Sequence, residues 1–168
     1  MTATAGERLD PKLISLVWAG PERAAEFAEM HAKLFSPAWN EASMADTLSH
    51  PGSTAFFARV RDGVDALPEP AGFVMGQLAA DEAEILSIGV LPKFQRRGVG
   101  SLLVEGLARA AKRAEVKRLF LEVAAQNQAA FELYRSLGFT AVGLRKGYYD
   151  RPGGEPQDAL VLALPLDR

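Results

Sequence analysis

The sequence predicts one α/β domain over residues 1–168, with about seven strands in a mixed, mostly antiparallel sheet and helices packed on both faces. Two observations predict this class. The first half of the chain carries hairpin-type strands, whereas the second half alternates strand, helix, strand and helix. A length of 168 residues also provides one substantial core without help from disulfides or metals.

Turn residues and apolar periodicity divide the first half of the chain. Proline and an acid at Pro21-Glu22 suit the first turn of a helix, and Asn40 suits the cap of a second one. An acidic, proline-bearing loop from Arg61 to Pro70 separates two β-rich runs that pair as a hairpin. The predicted elements are a strand over 13–18, a helix over 21–35, a helix over 40–49, and strands over 53–60 and 72–78.

The second half begins with a strand, a basic glycine loop and a helix. Apolar residues recur on one face of that helix, from Val99 to Ala114, and Gly138 closes a later helix. The predicted elements are a strand over 84–90, a helix over 99–114, a strand over 118–123, a helix over 127–137, and strands over 140–144 and 159–164.

The composition excludes several classes of function. The chain has no cysteine, which removes disulfides, thiolate metal sites and a cysteine-linked intermediate. The 19 basic and 21 acidic residues nearly balance, so we expect neither nucleic acid nor an anionic membrane as a partner. Residues 1–10 do not resemble a signal peptide and no run is long enough to span a membrane, which predicts a cytoplasmic protein. His31 and His50 have no partner pattern, and no metal site is expected.

The loop between the strand over 84–90 and the next helix is the clearest candidate site. Gly98 and Gly100 lie where the helix begins, so backbone N–H groups and the helix dipole point towards an anion there. Lys93, Arg96 and Arg97 add positive charge to the same place. A diphosphate is the ligand that such a loop fits.

Two other interpretations of this loop remain open from the residues alone. Two glycines before a helix also make an ordinary tight turn with solvated arginines. A dinucleotide fold would use Glu122, at the end of the following strand, to bind a ribose. Against that fold, Leu103 stands where its third glycine should be, and seven residues, 91–97, separate the strand from Gly98. The chain also lacks the G-x-x-x-x-G-K-[ST] sequence of nucleotide triphosphatases.

The run IGVLPKFQRRGVG at residues 88–100 resembles the acyl-CoA signature Q/R-x-x-G-x-G/A of the GNAT superfamily of N-acetyltransferases. The later segments LEV at 121–123, LY at 133–134, LGF at 137–139 and KGYY at 146–149 are similar to members that acetylate a ribosomal-protein alanine. The resemblance runs from about Glu84 to Leu164. Earlier, Ala38 interrupts the Pro-Trp element of the family, and the loop over 61–70 departs from its compact hairpin.

The resemblance implies a GNAT-like fold, acetyl-CoA as the acetyl donor and direct transfer in a ternary complex. Backbone groups at Ile88, Gly89 and Val90 would align the pantetheine arm as an added strand, with the Val90 N–H on the thioester carbonyl. Asn127 would contact the same arm. The resemblance assigns the pyrophosphate to a contiguous set of residues, namely Gln95, Arg96, Arg97, Gly98, Val99, Gly100 and Ser101.

The resemblance also implies catalytic residues in the second half. Glu122 matches the general base of the family, and Tyr134 matches the general acid that protonates the departing thiolate. Without the resemblance, Glu122 would be interpreted as an acid paired with an arginine, and Tyr134 as a core aromatic on an apolar helical stripe. Tyr148 and Tyr149 are either contacts to a substrate peptide or ordinary strand aromatics.

The acceptor that the resemblance implies is a protein N-terminus, in the first hypothesis the N-terminal alanine of a ribosomal protein. An α-amine has a pKa of about 7.7–8.0, whereas lysine at about 10.4 needs roughly 3.4 kcal/mol more to lose its proton at neutral pH. One carboxylate base therefore suits a peptide N-terminus better. The alternatives are acetylation of a small amine or a lysine side chain, and a non-catalytic acyl-CoA-binding module.

Overall fold

Seven strands and four α-helices make up the regular structure of residues 7–63, 65–149 and 157–166, the part of the chain that this computed structural model describes. The strands are β1 Ile14–Trp18, β2 Ser53–Val60, β3 Glu69–Ala79, β4 Glu82–Val90, β5 Arg118–Ala124, β6 Thr140–Tyr149 and β7 Gln157–Pro165. The helices are α1 Ala24–Leu34, α2 Glu41–Ser49, α3 Val99–Arg113 and α4 Gln128–Ser136.

The strands form one seven-stranded sheet in the order β1-β2-β3-β4-β5-β7-β6. Strand β4 pairs with β5 in parallel. The pairs β1–β2, β2–β3, β5–β7 and β6–β7 are antiparallel. The predicted mixed, mostly antiparallel sheet of about seven strands is therefore confirmed.

The chain folds as two compact units, and β4 contributes residues to both of them. The first unit contains residues 1–77 and 86–110, and the second contains residues 78–85 and 111–168. The expectation of one domain over residues 1–168 stays a prediction.

The core of the first unit contains aromatic rings that α1 places over two paired strands. The buried residues of α1 include Ala24, Phe27 and Met30, which follow the three-residue spacing of one helical face. Phe57 of β2 and Phe73 of β3 are directly paired. The Phe27 ring stacks on Phe57 at 4.2 Å between centroids and meets Phe73 edge-on at 5.8 Å. These contacts fix α1 on one face of the strands.

Helix α3 packs on the opposite face of the same strands. Successive residues of a strand alternate between faces, so Gly72 lies on the side opposite to Phe73. A Cβ added to Gly72 would lie 3.3 Å from a methyl of Leu103, and one added to Gly106 would lie 2.5 Å from a methyl of Leu16. The prediction of helices on both faces of the sheet is thus confirmed within this unit.

Two glycines allow a close backbone approach at the carboxyl end of β4. A Cβ on Gly72 would lie 2.6 Å from the carbonyl oxygen of Gly89, and one on Gly89 would lie 2.6 Å from Leu34 and 2.9 Å from Phe73. The Leu91 N–H donates to the Ala71 carbonyl at 2.8 Å. A side chain at position 72 would push the two backbones apart, and one at position 89 would clash with the side chains packed against β4, so the end of β4 depends on both glycines.

The second unit contains α4 together with strands β5, β6 and β7. Burial alternates along β5, where Leu119, Leu121 and Val123 are buried. The Asn127 side chain caps α4 by accepting the Ala130 N–H at 3.2 Å. Gly138, at φ +101°, ends the helix in a Schellman motif, as the sequence predicts.

Four of the predicted element bounds differ from the structure. The segment Pro21–Arg23 forms a 3-10 turn, so α1 begins only at Ala24. Strand β3 begins at Glu69, because a register shift between β2 and β3, with Ala71 as the extra residue of β3, accommodates Pro70 within the pairing. Strands β6 and β7 extend beyond the predicted ranges, to Tyr149 and from Gln157.

The close approach at Gly72 leads to a stability prediction. Replacing Gly72 with Ala forces a Cβ against a backbone carbonyl, and we expect a loss of about 1–3 kcal/mol in the free energy of unfolding by urea. Gly143→Ala is the matched control, since its nearest contact would be an ordinary 3.6 Å to Val161. Equal unfolding midpoints for the Gly72→Ala variant and the unmodified protein would contradict this account.

Candidate functional site

The candidate site residues divide between the two units. Residues 88–90 and 95–101 lie in the first unit, and residues 122, 127, 134, 148 and 149 lie in the second. Each group is described within its own unit.

The loop that follows β4 has a buried anchor. Pro92–Phe94 forms a 3-10 turn, in which Phe94 is 1% exposed. The Gln95 side chain then folds back, so that its Nε2 donates to the Val90 carbonyl at 2.9 Å. The sequence predicted Gln95 as a pyrophosphate contact, and the structure adds a role in which Gln95 ties the loop to the end of β4.

Backbone geometry opens the start of α3 towards an anion. Arg96 and Gly98 both have left-handed conformations, at φ +62° and +97°. The first hydrogen bond of the helix runs from the Leu102 N–H to the Gly98 carbonyl at 3.2 Å. The N–H groups of the three residues between them therefore have no acceptor within the helix. These residues are Val99, Gly100 and Ser101. A turn whose N–H donors have no acceptor within the helix is suited to phosphate.

Two of the three predicted cations at this loop are already paired. The Lys93 Nζ lies 2.7 Å from a carboxylate oxygen of Glu69. The Arg97 guanidinium lies 3.7 Å from Asp62, and its side chain is only 19% exposed. Arg96, in contrast, is exposed and makes no ion pair with a carboxylate of the described residues. Of these three cations, Arg96 is the one that has no carboxylate partner among the described residues.

One face of the second unit carries two carboxylates and an arginine. Glu84 of β4 is paired with Phe120 of β5, and Glu122 lies two residues further along the same face. The Arg145 Nε of β6 lies 3.0 Å from Oε1 of Glu122. The side chain of Glu122 is 14% exposed and that of Arg145 is 57% exposed. Glu122 thus has the arginine partner that the residues alone suggested.

The second carboxylate on this face, Glu84, has a raised pKa. Partial burial raises the pKa of Glu84, and the negative charge of Glu122 raises it further. The positive charge of Arg145 acts in the opposite direction. Glu84 and Glu122 are therefore coupled in charge, although the sequence singled out only Glu122.

Tyr134 is a buried residue of α4. It is 6% exposed, and its ring meets that of Phe139 edge-on at 5.7 Å between centroids. Burial raises the pKa of Tyr134 to about 12, so the phenol is protonated at neutral pH. Its hydroxyl makes no hydrogen bond to any residue that the structure describes. A packed ring with an uncommitted O–H donor is compatible with both interpretations of this residue.

Asn127 and the two tyrosines of β6 complete the predicted set. The side-chain oxygen of Asn127 is occupied by the helix cap, which leaves its amide N–H donors for other partners. Tyr148 and Tyr149 lie in the last part of β6, where Tyr149 pairs with Gln157. The side chains of Tyr148 and Tyr149 and the loop over 150–156 lie outside the described residues.

His31 is a core residue of the first unit. It is 3% exposed, and its ring stacks with those of Phe35 and Trp39 at 4.5 and 5.3 Å. Its Nδ1 accepts the Trp39 N–H at 3.1 Å. Burial lowers the pKa of His31, which keeps the ring neutral at pH 7. No group of three or more potential metal-binding side chains occurs among the described residues.

Sequence reasoning missed Glu84 and Arg145. Each of them interacts with a residue that is distant along the chain, so no local motif identifies it. The strand alternation of β4 and β5 was the one available signal, because it places Glu84 and Glu122 on the exposed face of their strands. None of the helices in the described ranges is both long enough and apolar enough to cross a membrane.

Known proteins share the sequence features of this chain. Residues 24–139 match the model of the Acetyltransferase (GNAT) family. The chain is 44% identical over 96 residues to the ribosomal protein bS18-alanine N-acetyltransferase of Salmonella typhimurium, a match that covers 57% of this chain and 64% of that protein. It is 35% identical over 130 residues to the N-alpha-acetyltransferase RimI of Mycobacterium tuberculosis, covering 76% of this chain and 79% of that one.

Solved structures share the fold. The crystal structure of the ribosomal-protein-S18-alanine N-acetyltransferase from Escherichia coli superposes with a TM-score of 0.79 at 28% identity, covering 92% of this chain and 95% of the other. Arabidopsis thaliana NAA60 in complex with acetyl-CoA superposes with a TM-score of 0.77 at 19% identity, covering 92% and 99%. The second similarity concerns the fold alone.

Proposed function

The chain belongs to the acetyltransferase (GNAT) family, and on this basis we propose that it transfers the acetyl group of acetyl-CoA to a protein N-terminal amine, that of the N-terminal alanine of a ribosomal protein. The open first turn of α3 is the observation that carries the donor half of the proposal. The acceptor half is supported by the 44% identity to an enzyme named for the alanine of ribosomal protein bS18.

The first unit would bind the donor. Its N–H groups at Val99, Gly100 and Ser101, together with the exposed Arg96, fit the negative charge of a diphosphate. Ile88 to Val90 would present backbone groups to the pantetheine arm, with the Val90 N–H directed at the thioester carbonyl. Gln95 would keep this strand end in place through its hydrogen bond to the Val90 carbonyl.

Glu122 would receive the proton of the attacking amine. The Arg145 side of its ion pair is 57% exposed, so solvent weakens the attraction between the two groups. An α-ammonium group can therefore exchange with Arg145 at little cost. Because an α-amine has a pKa of about 7.7–8.0, this carboxylate needs to remove only a weakly held proton.

Tyr134 would assist the departure of CoA by hydrogen bonding. Its pKa of about 12 lies some 3.5 units above that of an ordinary thiol near 8.5. Full transfer of the phenolic proton to a thiolate would then be uphill by about 5 kcal/mol. We therefore assign to Tyr134 a hydrogen bond to the developing sulfur charge, with the final proton coming from solvent. This refines the role of general acid that the family resemblance implies.

The acceptor would approach the second unit near the end of β6. Tyr148 and Tyr149 are the candidate contacts to the peptide backbone, and Asn127 is the candidate contact to the pantetheine arm. Acetylation of a ribosomal protein would occur in the cytoplasm, which is where we place this activity.

A panel of peptides with different N-termini tests the proposed acceptor. We expect mass spectrometry to show one added acetyl group on the α-amine of a peptide that begins with alanine. A matched peptide with a blocked N-terminus and one internal lysine is the control. Acetylation of that lysine at an equal rate would instead favour a lysine acetyltransferase. Consumption of acetyl-CoA with small amines alone would contradict the peptide assignment.

The proposed role of Tyr134 predicts a separation of binding from turnover. Tyr134→Phe keeps the ring that packs on Phe139, so we expect unchanged thermal unfolding and unchanged calorimetric affinity for acetyl-CoA. We expect kcat to fall by about 10²-fold or more, because the variant lacks the hydroxyl donor. A kcat equal to that of the unmodified enzyme would remove Tyr134 from the mechanism.

The proposed role of Glu122 predicts a pH-dependent defect. In Glu122→Gln, kcat/KM at pH 7 should fall by about 10²-fold, since no carboxylate accepts the amine proton. The defect should shrink above pH 8, where the α-amine is already neutral. Glu82→Gln is the matched control, because Glu82 is an exposed carboxylate of the same unit that pairs with Arg118. A defect that stays constant from pH 7 to pH 9 would exclude Glu122 as the base.

A further inference from the structure

Residues 7–9 lie along the loop between β4 and α3 in the first unit, and two hydrogen bonds hold them there. The Leu9 N–H donates to the Arg97 carbonyl at 2.9 Å. The Arg97 Nε donates to the Glu7 carbonyl at 3.2 Å. Leu9 is 6% exposed, so its side chain anchors the segment in the core. The two hydrogen bonds and this buried side chain fix the backbone on both sides of Arg8.

The anchored segment places the Arg8 side chain across Gly98. A Cβ added to Gly98 would lie 3.3 Å from Nε, 3.4 Å from Cγ and 3.8 Å from Cζ of Arg8. The guanidinium therefore lies beside the residue that precedes the first turn of α3. Gly98, at φ +97°, leaves the space that the Arg8 side chain occupies.

Arg8 adds a positive charge to a loop in which two of the three cations already have carboxylate partners. Lys93 and Arg97 are engaged by Glu69 and Asp62. In the described part of the chain, Arg8 forms no ion pair with a carboxylate. A guanidinium is planar and always charged, and it donates to two phosphate oxygens at once. Arg8 thus brings an exposed, charged side chain beside Gly98, where α3 begins.

We propose that Arg8 binds a phosphate group of acetyl-CoA and that Arg97 is a positioning residue that holds Arg8 in place. This inference rests on the proposed function, since it names a further contact to the same donor. The loop carries the diphosphate donors, but CoA also has a 3′-phosphate of the same chemistry. The two phosphate sources are distinguished by comparing CoA with dephospho-CoA, which lacks the 3′-phosphate.

Isothermal calorimetry on the full chain with both compounds tests the proposal. Arg8→Ala should weaken CoA binding by about tenfold, in line with the loss of hydrogen bonds between charged groups. A loss for CoA alone assigns Arg8 to the 3′-phosphate, and an equal loss for both compounds assigns it to the diphosphate. Unchanged affinity for both compounds would overturn the inference.

Two further variants separate a phosphate contact from general effects. Arg109→Ala removes the same charge from an exposed position of α3, ten residues or about 15 Å along the helix from Val99, and should leave both affinities unchanged. Arg97→Met should weaken CoA binding in the unmodified background but not in Arg8→Ala, because Arg97 acts through Arg8. Fully additive effects of the two substitutions would exclude that positioning role.

The same titrations distinguish failure of this inference from failure of the proposed function. If the unmodified protein and the Arg8→Ala variant bind CoA equally well, only the Arg8 contact is refuted. An unmodified protein that binds neither CoA nor dephospho-CoA refutes the acetyl-CoA assignment, and the Arg8 contact with it.

Discussion

The close approach of the Gly72 backbone to the Gly89 carbonyl determines how the first unit presents its candidate site. Because no side chain separates these strands, the Leu91 N–H reaches the Ala71 carbonyl and β4 ends at a fixed point. The 3-10 turn and the start of α3 follow from that point. The positions of the N–H donors at the start of α3 therefore depend on two glycines, which have no functional side chain of their own.

Much of the fold could be predicted because its signals are local. Asn40 and Asn127 cap helices, Gly138 ends one, and β5 alternates between buried and exposed residues. The glycine loop before α3 is likewise a local pattern. The strand bounds were harder to predict. The register shift that accommodates Pro70 arises from the pairing of β2 with β3, so the sequence of one strand does not reveal it.

The electrostatics of the candidate site could not be predicted from the sequence, because charge partners are chosen by the tertiary structure. Arg97 appears in the motif as a free cation, yet Asp62 and the Glu7 carbonyl engage it. Glu122 receives its partner from β6, at Arg145. Burial raises the pKa of Tyr134 and lowers the pKa of His31. In both side chains it therefore favours the uncharged form. The exposed and half-exposed charges then remain for binding and proton transfer.

Phe94 and Val99, each 1% exposed, hold the loop between β4 and α3 in the core at both ends. A loop that is immobilised before a ligand arrives loses little conformational entropy when the ligand binds. The ordering that remains falls on exposed side chains such as Arg96, at about 0.5–1.5 kcal/mol for each one immobilised. The backbone of this loop therefore loses little entropy when a ligand binds. Most of the entropic cost comes from ordering the exposed arginine side chains.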